Sequence, residues 1–162
     1  MTSCGTSTSS ASSGSTLTIS NESGSTWNCQ FNPFNENVNW ELFGPVYEPL
    51  VFVDSLESGK ASPWLAKSWA WSDNDTVLTF TMRSNAKWQD GVPVTAADVV
   101  YTYNLLKQHT ALDLNADWTV LKSVVQKGAN QVVMTFNGPG LTSFYLVAYE
   151  LSLIHISEPT RP

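Results

Sequence analysis

Apolar and polar residues alternate from Leu78 to Arg83, which predicts that residues 77–83 form a β-strand with one buried face. Leu78, Phe80 and Met82 lie on that face. The strand follows a turn cluster at 72–75, so we expect it to form a β-hairpin with the segment before the turn.

A second hairpin is predicted over 121–126 and 131–137, around a turn at 127–130. A shorter apolar run at 50–53 is a further strand candidate. The inward face of the second hairpin carries three large apolar residues, Val132, Met134 and Phe136.

One long helix is predicted between the two hairpins. Thr95 and Asp98 have the spacing of a capping box, in which each side chain binds a free backbone N–H of the first turn. The helix ends near His109, which we interpret as a surface residue that complements the helix dipole rather than as a catalytic base. The order of elements indicates an α+β fold. The apolar side of the helix carries Val99, Val100, Tyr103 and Leu106.

The amino-terminal end is mostly Ser, Thr and Gly up to residue 26. Such a segment buries too little apolar area to offset the entropy of ordering it, so residues 1–16 are expected to be a tether. The alternating run at 17–20 is the first strand candidate. Met1 to Gly5 resembles the end of a bacterial lipoprotein signal, which makes Cys4 a candidate for lipidation; the alternative is a chance Cys in a Ser-rich leader.

The carboxyl-terminal end, from Leu151 to Arg161, resembles the translation of a transposon-end adaptor used in sequencing libraries. We therefore expect native sequence to stop near Glu150, residues 151–162 to be a non-native tail, and the chain to be truncated. The alternative is an ordinary terminal strand.

Composition and charge exclude several classes of function. The 162 residues carry a formal net charge of −6, and the 8 Lys and Arg residues supply no surface that could follow a phosphate backbone. No apolar run is long enough for a membrane-spanning helix. Cys4 and Cys29, with two scattered His residues, do not make a metal site, and a disulfide between them stays open.

No sequence motif of a known catalytic site is present. There is no phosphate-binding loop, dinucleotide fingerprint or nucleophile elbow, and no His is placed to activate a Ser or Cys. We therefore expect neither enzymatic activity nor a cofactor. Each prominent carboxylate has a structural role that explains it, in a turn, before a glycine or in a helix cap: Asp73, Asp75, Asp90 and Asp98.

An ordered series of motifs lies between residues 17 and 146. The series comprises Phe31-Asn32-Pro33-Phe34, Tyr47-Glu48-Pro49-Leu50-Val51, Pro63-Trp64-Leu65-Ala66, Ser68-Trp69, Trp71-Ser72-Asp73, Leu78-Thr79-Phe80-Thr81-Met82-Arg83, Lys87-Trp88-Gln89-Asp90-Gly91 and Pro93-Val94-Thr95-Ala96-Ala97-Asp98-Val99-Val100-Tyr101. This series resembles the signature of the family 5 extracellular solute-binding proteins, the peptide, nickel and oligosaccharide receptors of ABC importers.

The resemblance implies a fragment of a two-lobed α/β receptor, similar to periplasmic binding proteins, that closes on its ligand like a clamshell. By this analogy residues 17–45 begin the first lobe. Residues 46–150 form most of an extra domain within that lobe, with its two hairpins and capped helix.

In this family the segment after the first strand lies beside the ligand, which implies ligand contact by Trp27, Asn28, Cys29, Gln30, Phe31 and Asn32. An extended peptide could pair with the backbone of this segment, or its amide side chains could bind sugar hydroxyls. Alternatively, Trp27 and Phe31 are core anchors and the Asn residues shape a turn, with Cys29 as a small buried residue. Packing is the expected role of Trp69, Trp71 and Trp88.

The function implied is that of the substrate-binding component of an ABC importer. It would be a monomer that captures oligopeptides or oligosaccharides in the periplasm or at the outer face of the cell membrane, and delivers them to the permease subunits. A lipid on Cys4 would hold it there. The alternatives are a secreted Trp-rich carbohydrate-binding module of a lost hydrolase, and a structural surface domain.

Overall fold

In the part of the chain that the structure describes, two antiparallel sheets are built from hairpins that follow one another in sequence. The computed structural model describes residues 32–35, 47–88 and 90–149. The first sheet pairs β1 (Val51–Asp54) with β2 (Lys60–Pro63). The second has four strands in the order β3-β4-β6-β5: β3 (Ala66–Ser72), β4 (Val77–Met82), β5 (Leu121–Lys127) and β6 (Gln131–Phe136).

Among the described residues, three α-helices accompany the sheets. They are α1 (Ala96–Gln108), α2 (Asp117–Val120) and α3 (Phe144–Tyr149), and short 3-10 turns precede α2 and α3 at 110–112 and 141–143. The mixed α+β class, both predicted hairpins, the strand near 50–53 and the long helix are confirmed.

The capping box at the start of α1 is formed as predicted. The Asp98 carboxylate accepts hydrogen bonds from the Thr95 backbone N–H at 2.7 Å and from the Thr95 hydroxyl at 2.8 Å. The helix ends at Gln108, and the backbone N–H of exposed His109 donates to the Leu105 carbonyl at 2.9 Å. Val99, Tyr103 and Leu106 are buried, in line with the predicted apolar side, and Val100 is half-buried.

The four-stranded sheet buries one face. On the central strands this face carries Leu78, Phe80 and Met82 from β4 and Val132, Met134 and Phe136 from β6, all of them buried. Helix α1 packs over β5 and β6. Phe144 of α3 covers the other half, with its ring centroid 5.5 Å from that of Trp69 in β3 and 6.4 Å from that of Phe80 in β4.

Both outer strands contain a β-bulge that changes which residues face the core. In β3 the pairing passes from Ala66 to Ser68 and skips Lys67. In a regular strand Ala66 and Ser68 would face the core together. Because Lys67 is an extra residue in the pairing, Trp69 instead lies opposite buried Phe80. The bulge therefore turns the Trp residues of β3 towards the core.

The bulge in β5 has the same effect. The pairing skips Lys122, so that Leu121 and Val124 are both buried although they are three residues apart. Val125, which simple alternation from Leu121 would bury, is exposed instead.

Three short elements were not predicted. Strand β2 is polar and mostly half-buried or exposed, and it is held by its pairing with β1. Helix α2 is four residues long and begins after Ala116, which has a left-handed φ of 55°. Helix α3 is an uninterrupted run of apolar and aromatic residues with no helical period to read.

Gly140 packs directly against aromatic side chains of the core. A Cβ atom at this position would lie 2.8 Å from the Phe136 ring and 2.9 Å from the Trp71 ring. Its backbone N–H also donates to the Asp75 carbonyl at 2.7 Å, which ties it to the β3–β4 turn. The glycine is needed here for space.

We expect Gly140→Ala to destabilise the protein by about 1–3 kcal/mol, because the added methyl group forces two packed rings apart. Urea unfolding followed by tryptophan fluorescence measures the change. Gly138→Ala is the matched control, since a Cβ at Gly138 meets nothing within 4 Å. Equal stability of the two variants would contradict the assigned role of Gly140.

Candidate ligand-binding site

The predicted ligand-contacting segment reaches the described part of the chain only at its last residue. Trp27, Asn28, Cys29, Gln30 and Phe31 lie outside the described residues. The predicted lipidation site, Cys4, also lies outside them. The contacts of these six residues remain predictions.

Asn32 begins a tight turn that is anchored to the core. Its side-chain Oδ1 accepts a hydrogen bond from the Phe34 backbone N–H at 2.9 Å, and its carbonyl accepts one from the Asn35 N–H at 3.1 Å. This is an Asx turn, in which a side-chain amide imitates a backbone carbonyl. Phe34 is half-buried and packs against the hydrophobic core.

The turn geometry agrees with the turn-shaping interpretation of Asn32. Its side-chain carbonyl is used within the turn, while the residue as a whole is exposed. The Nδ2 amide is the group that could still bind a ligand. The predicted ligand contact at Asn32 would therefore be a hydrogen bond that Nδ2 donates.

A second surface, which sequence reasoning missed, is the outer face of the β1–β2 hairpin. Phe52 and Trp64 are 43% and 40% exposed, and their ring centroids lie 5.8 Å apart at an interplanar angle of 37°. The signal in the sequence was Phe52 itself, an aromatic residue between two inward-facing valines of a short strand. An exposed aromatic pair of this kind can stack against an apolar surface of another molecule.

Arg83 lies beside this aromatic pair. Its Nη2 donates to the Pro63 carbonyl at 3.1 Å, and its backbone N–H donates to the Leu65 carbonyl at 3.0 Å. The guanidinium thereby fixes the segment that carries Trp64 against the end of β4.

The tryptophans expected to pack do so. Trp69, Trp71 and Trp88 are half-buried against the hydrophobic core. Trp118 does the same at the other end of the sheet, where its Nε1 donates to the Tyr103 carbonyl at 2.8 Å and the Lys107 ammonium lies 4.2 Å from its ring centroid. These side chains are committed to structure.

Tyr103 is a fully buried phenol in the middle of α1. Its hydroxyl donates to the Val147 carbonyl of α3 and so joins the two helices. Burial raises the pKa of Tyr103 well above its usual value, and the negative charges of Asp117 and Asp113 raise it further. Asp113 in turn caps α2 by accepting the backbone N–H groups of Asp117 at 2.9 Å and Trp118 at 3.1 Å.

Across residues 32–35, 47–88 and 90–149, no three His, Cys, Asp or Glu side chains lie close enough together to hold a metal ion. Asp98 is bound within the helix cap. The helices in the same ranges are all too short or too polar to cross a membrane.

Comparison with known proteins assigns the family. A sequence model of the bacterial extracellular solute-binding proteins, family 5 (middle region), matches residues 60–160, which is more than half of the chain. The chain belongs to this family.

Two of the curated relatives are named as peptide-binding proteins. The chain is 48% identical over 54 residues to the periplasmic murein peptide-binding protein MppA of Escherichia coli, a match that covers 33% of this chain and 10% of that protein. It is 44% identical over 70 residues to the periplasmic oligopeptide-binding protein OppA of Salmonella typhimurium, covering 43% and 12%.

The fold is also similar to that of a solved receptor. The mannohexaose-bound periplasmic oligopeptide-binding protein of a Thermotoga maritima oligopeptide ABC transporter matches with a TM-score of 0.70 and 31% identity, over 78% of this chain and 23% of that one. The chain therefore spans about a tenth of the length of these two curated relatives and under a quarter of the length of this structure.

Tyr103→Phe should change the pH dependence of stability. The folded state keeps the Tyr103 proton at a pH where the unfolded chain, with an ordinary pKa of about 10, releases it. The stabilising effect is fully present below about pH 10 and is lost as the pH rises above it. In the Phe variant this alkaline loss should disappear, whereas stability at neutral pH should fall by about 1–3 kcal/mol because the buried Val147 carbonyl loses its donor.

Urea midpoints measured from neutral to alkaline pH test this expectation. Tyr145→Phe is the control, because it removes an exposed hydroxyl that donates to the Gly59 carbonyl at 3.0 Å. Parallel alkaline curves for the parent chain and Tyr103→Phe would show that another group controls the alkaline transition.

Proposed function

We propose that the chain is part of the substrate-binding component of an ABC importer that captures oligopeptides outside the cytoplasm and delivers them to permease subunits. The observation that carries this proposal is the family match over residues 60–160. The names of the relatives favour peptides as the solute class, since both MppA and OppA are peptide-binding proteins.

Oligosaccharides are the second candidate ligand class. The specific observation in their favour is that the similar Thermotoga maritima receptor is bound to mannohexaose. The family match over residues 60–160 argues against the alternative of a carbohydrate-binding module from a hydrolase.

Capture without reaction fits the chemistry of the described residues. Among the carboxylates that accept backbone N–H groups, Asp98 and Asp113 stabilise helix starts, and Asp54 and Asp90 stabilise turns. A receptor gains its selectivity from a closed state that the ligand stabilises by touching both lobes. Such a protein binds its solute and releases it unchanged, so we assign it no enzymatic activity.

The place of the chain within the receptor follows the same proposal. Residues 17–45 would begin the first lobe and residues 46–150 would form an extra domain of that lobe. Trp27 to Asn32 would contact the ligand, and the anchored turn at 32–35 would fix the end of that segment.

An extracytoplasmic location is proposed from the relatives, which are named as periplasmic. A lipid on Cys4 would tether the receptor at the outer face of the membrane. The tether would raise the receptor's local concentration near the permease. A monomer is sufficient for this role.

The test uses the full-length protein encoded by the natural gene. Isothermal titration with short oligopeptides, and separately with mannohexaose, identifies the solute class, and mass spectrometry of the recovered ligand shows whether it is intact. Tight binding of intact peptide is the expected result. Cleavage of the ligand, or binding of neither class, would overturn the proposal.

Asn32→Asp tests the proposed contact segment. The carboxylate keeps the acceptor for the Phe34 N–H and removes the Nδ2 donor, so the turn should survive. We expect about three- to tenfold weaker binding with an unchanged melting temperature. Asn85→Asp, at an exposed bend, adds the same charge and should bind like the parent protein. Equal affinity of the two variants would place Asn32 outside the site.

A further inference from the structure

Asn137 and Gly138 form an Asn-Gly pair at the end of β6. It is the single Asn-Gly pair in the sequence. A glycine after asparagine leaves the following backbone nitrogen unhindered, so that this nitrogen can reach the asparagine side-chain carbon. The pair therefore carries the elements of an intramolecular reaction.

The structure holds the side chain of Asn137 in place. Its Nδ2 donates to the Thr119 carbonyl at 3.2 Å and lies 3.5 Å from the Leu121 carbonyl. Its backbone N–H donates to the Val120 carbonyl at 2.9 Å. Asn137 thus joins the end of β6 to three consecutive carbonyls at the junction of α2 and β5.

We propose that Asn137, although exposed to solvent, is a deamidation site that the folded state protects by holding its side chain and that opening of the β5–β6 end releases for reaction. The Gly138 nitrogen attacks Cγ of Asn137 and forms a C–N bond. The bond from Cγ to Nδ2 breaks, and ammonia leaves with the proton from Gly138. Water then opens the succinimide ring at either carbonyl to give Asp or isoaspartate.

Protection follows from the hydrogen bonds. The reaction expels Nδ2, the atom that the Thr119 carbonyl holds. Ring closure requires the Asn137 side chain to leave this position. Only molecules in which this end of the sheet has opened locally can therefore react. Breaking one such hydrogen bond corresponds to about a five- to tenfold reduction in rate.

The product cannot restore the native contacts. Asp at 137 presents a carboxylate, which can only accept, to carbonyl oxygens that also only accept. Isoaspartate adds a backbone atom just before Gly140, which has no space for even a methyl group against Phe136 and Trp71. Deamidation therefore acts as a one-way switch that weakens this end of the sheet.

The test incubates the full chain at mildly alkaline pH, once in buffer and once in urea. Peptide mapping measures Asp and isoaspartate at residue 137 and separates them from products of the Asp90-Gly91 pair. We expect about five- to tenfold faster conversion in urea than in buffer, and little product from Asn130, which precedes Gln131.

Variants separate the chemistry from the structure. Gly138→Ala should suppress the reaction and leave the fold intact, since its Cβ would meet nothing within 4 Å. Asn137→Asp should lower the melting temperature by about 4–8 °C, whereas Asn130→Asp, which adds the same charge at an exposed turn, should not. Equal conversion in buffer and urea, no product in urea, or a fully stable Asn137→Asp variant would each overturn the proposal.

Discussion

The structure depends on burying one face of a four-stranded sheet whose outer strands do not alternate regularly. The central strands β4 and β6 present their apolar residues at every second position, but β3 and β5 each need an extra residue to match them. The bulges at Lys67 and Lys122 supply it, and they bring Trp69 and Val124 opposite Phe80 and Met134. Each bulge also places a lysine on an outer strand, which disfavours pairing with a strand of another chain.

Helix α3 links the four-stranded sheet, helix α1 and the β1–β2 hairpin. Phe144 contacts the rings of β3 and β4, the Val147 carbonyl accepts the Tyr103 hydroxyl of α1, and the Tyr145 hydroxyl donates to Gly59 in the β1–β2 turn. A two-stranded hairpin is at best marginally stable by itself. The β1–β2 hairpin therefore draws its order from the packing of α3 against β1, and six residues of helix couple it to the larger sheet.

Sequence reasoning was accurate where one physical rule controlled an element. Period-two alternation located β4 and β6, and the capping box located the start of α1, because both signals are local. The bulges could not be foreseen, since their effect depends on the neighbouring strand. Helix α3 was missed because an apolar run such as Phe144–Tyr149 has no polar face to set a period. At the candidate site, the contact segment 27–32 is a prediction from resemblance alone, and the exposed Phe52–Trp64 pair was not foreseen, because its contact arises from the β1–β2 register.

The anchored turn at 32–35 gives the proposed receptor function a physical basis. A ligand-contacting segment costs less to order when its end is already fixed. Here the Asx turn and the half-buried Phe34 fix the end of the segment 27–32, and Phe34 packs on the same core that the bulged sheet creates. In this proposal the aromatic core does not touch the solute. It contributes to binding indirectly, because it fixes the position at which the proposed contact segment ends. A substitution that loosens the core, such as one at Gly140, would then weaken binding without removing any group that meets the ligand.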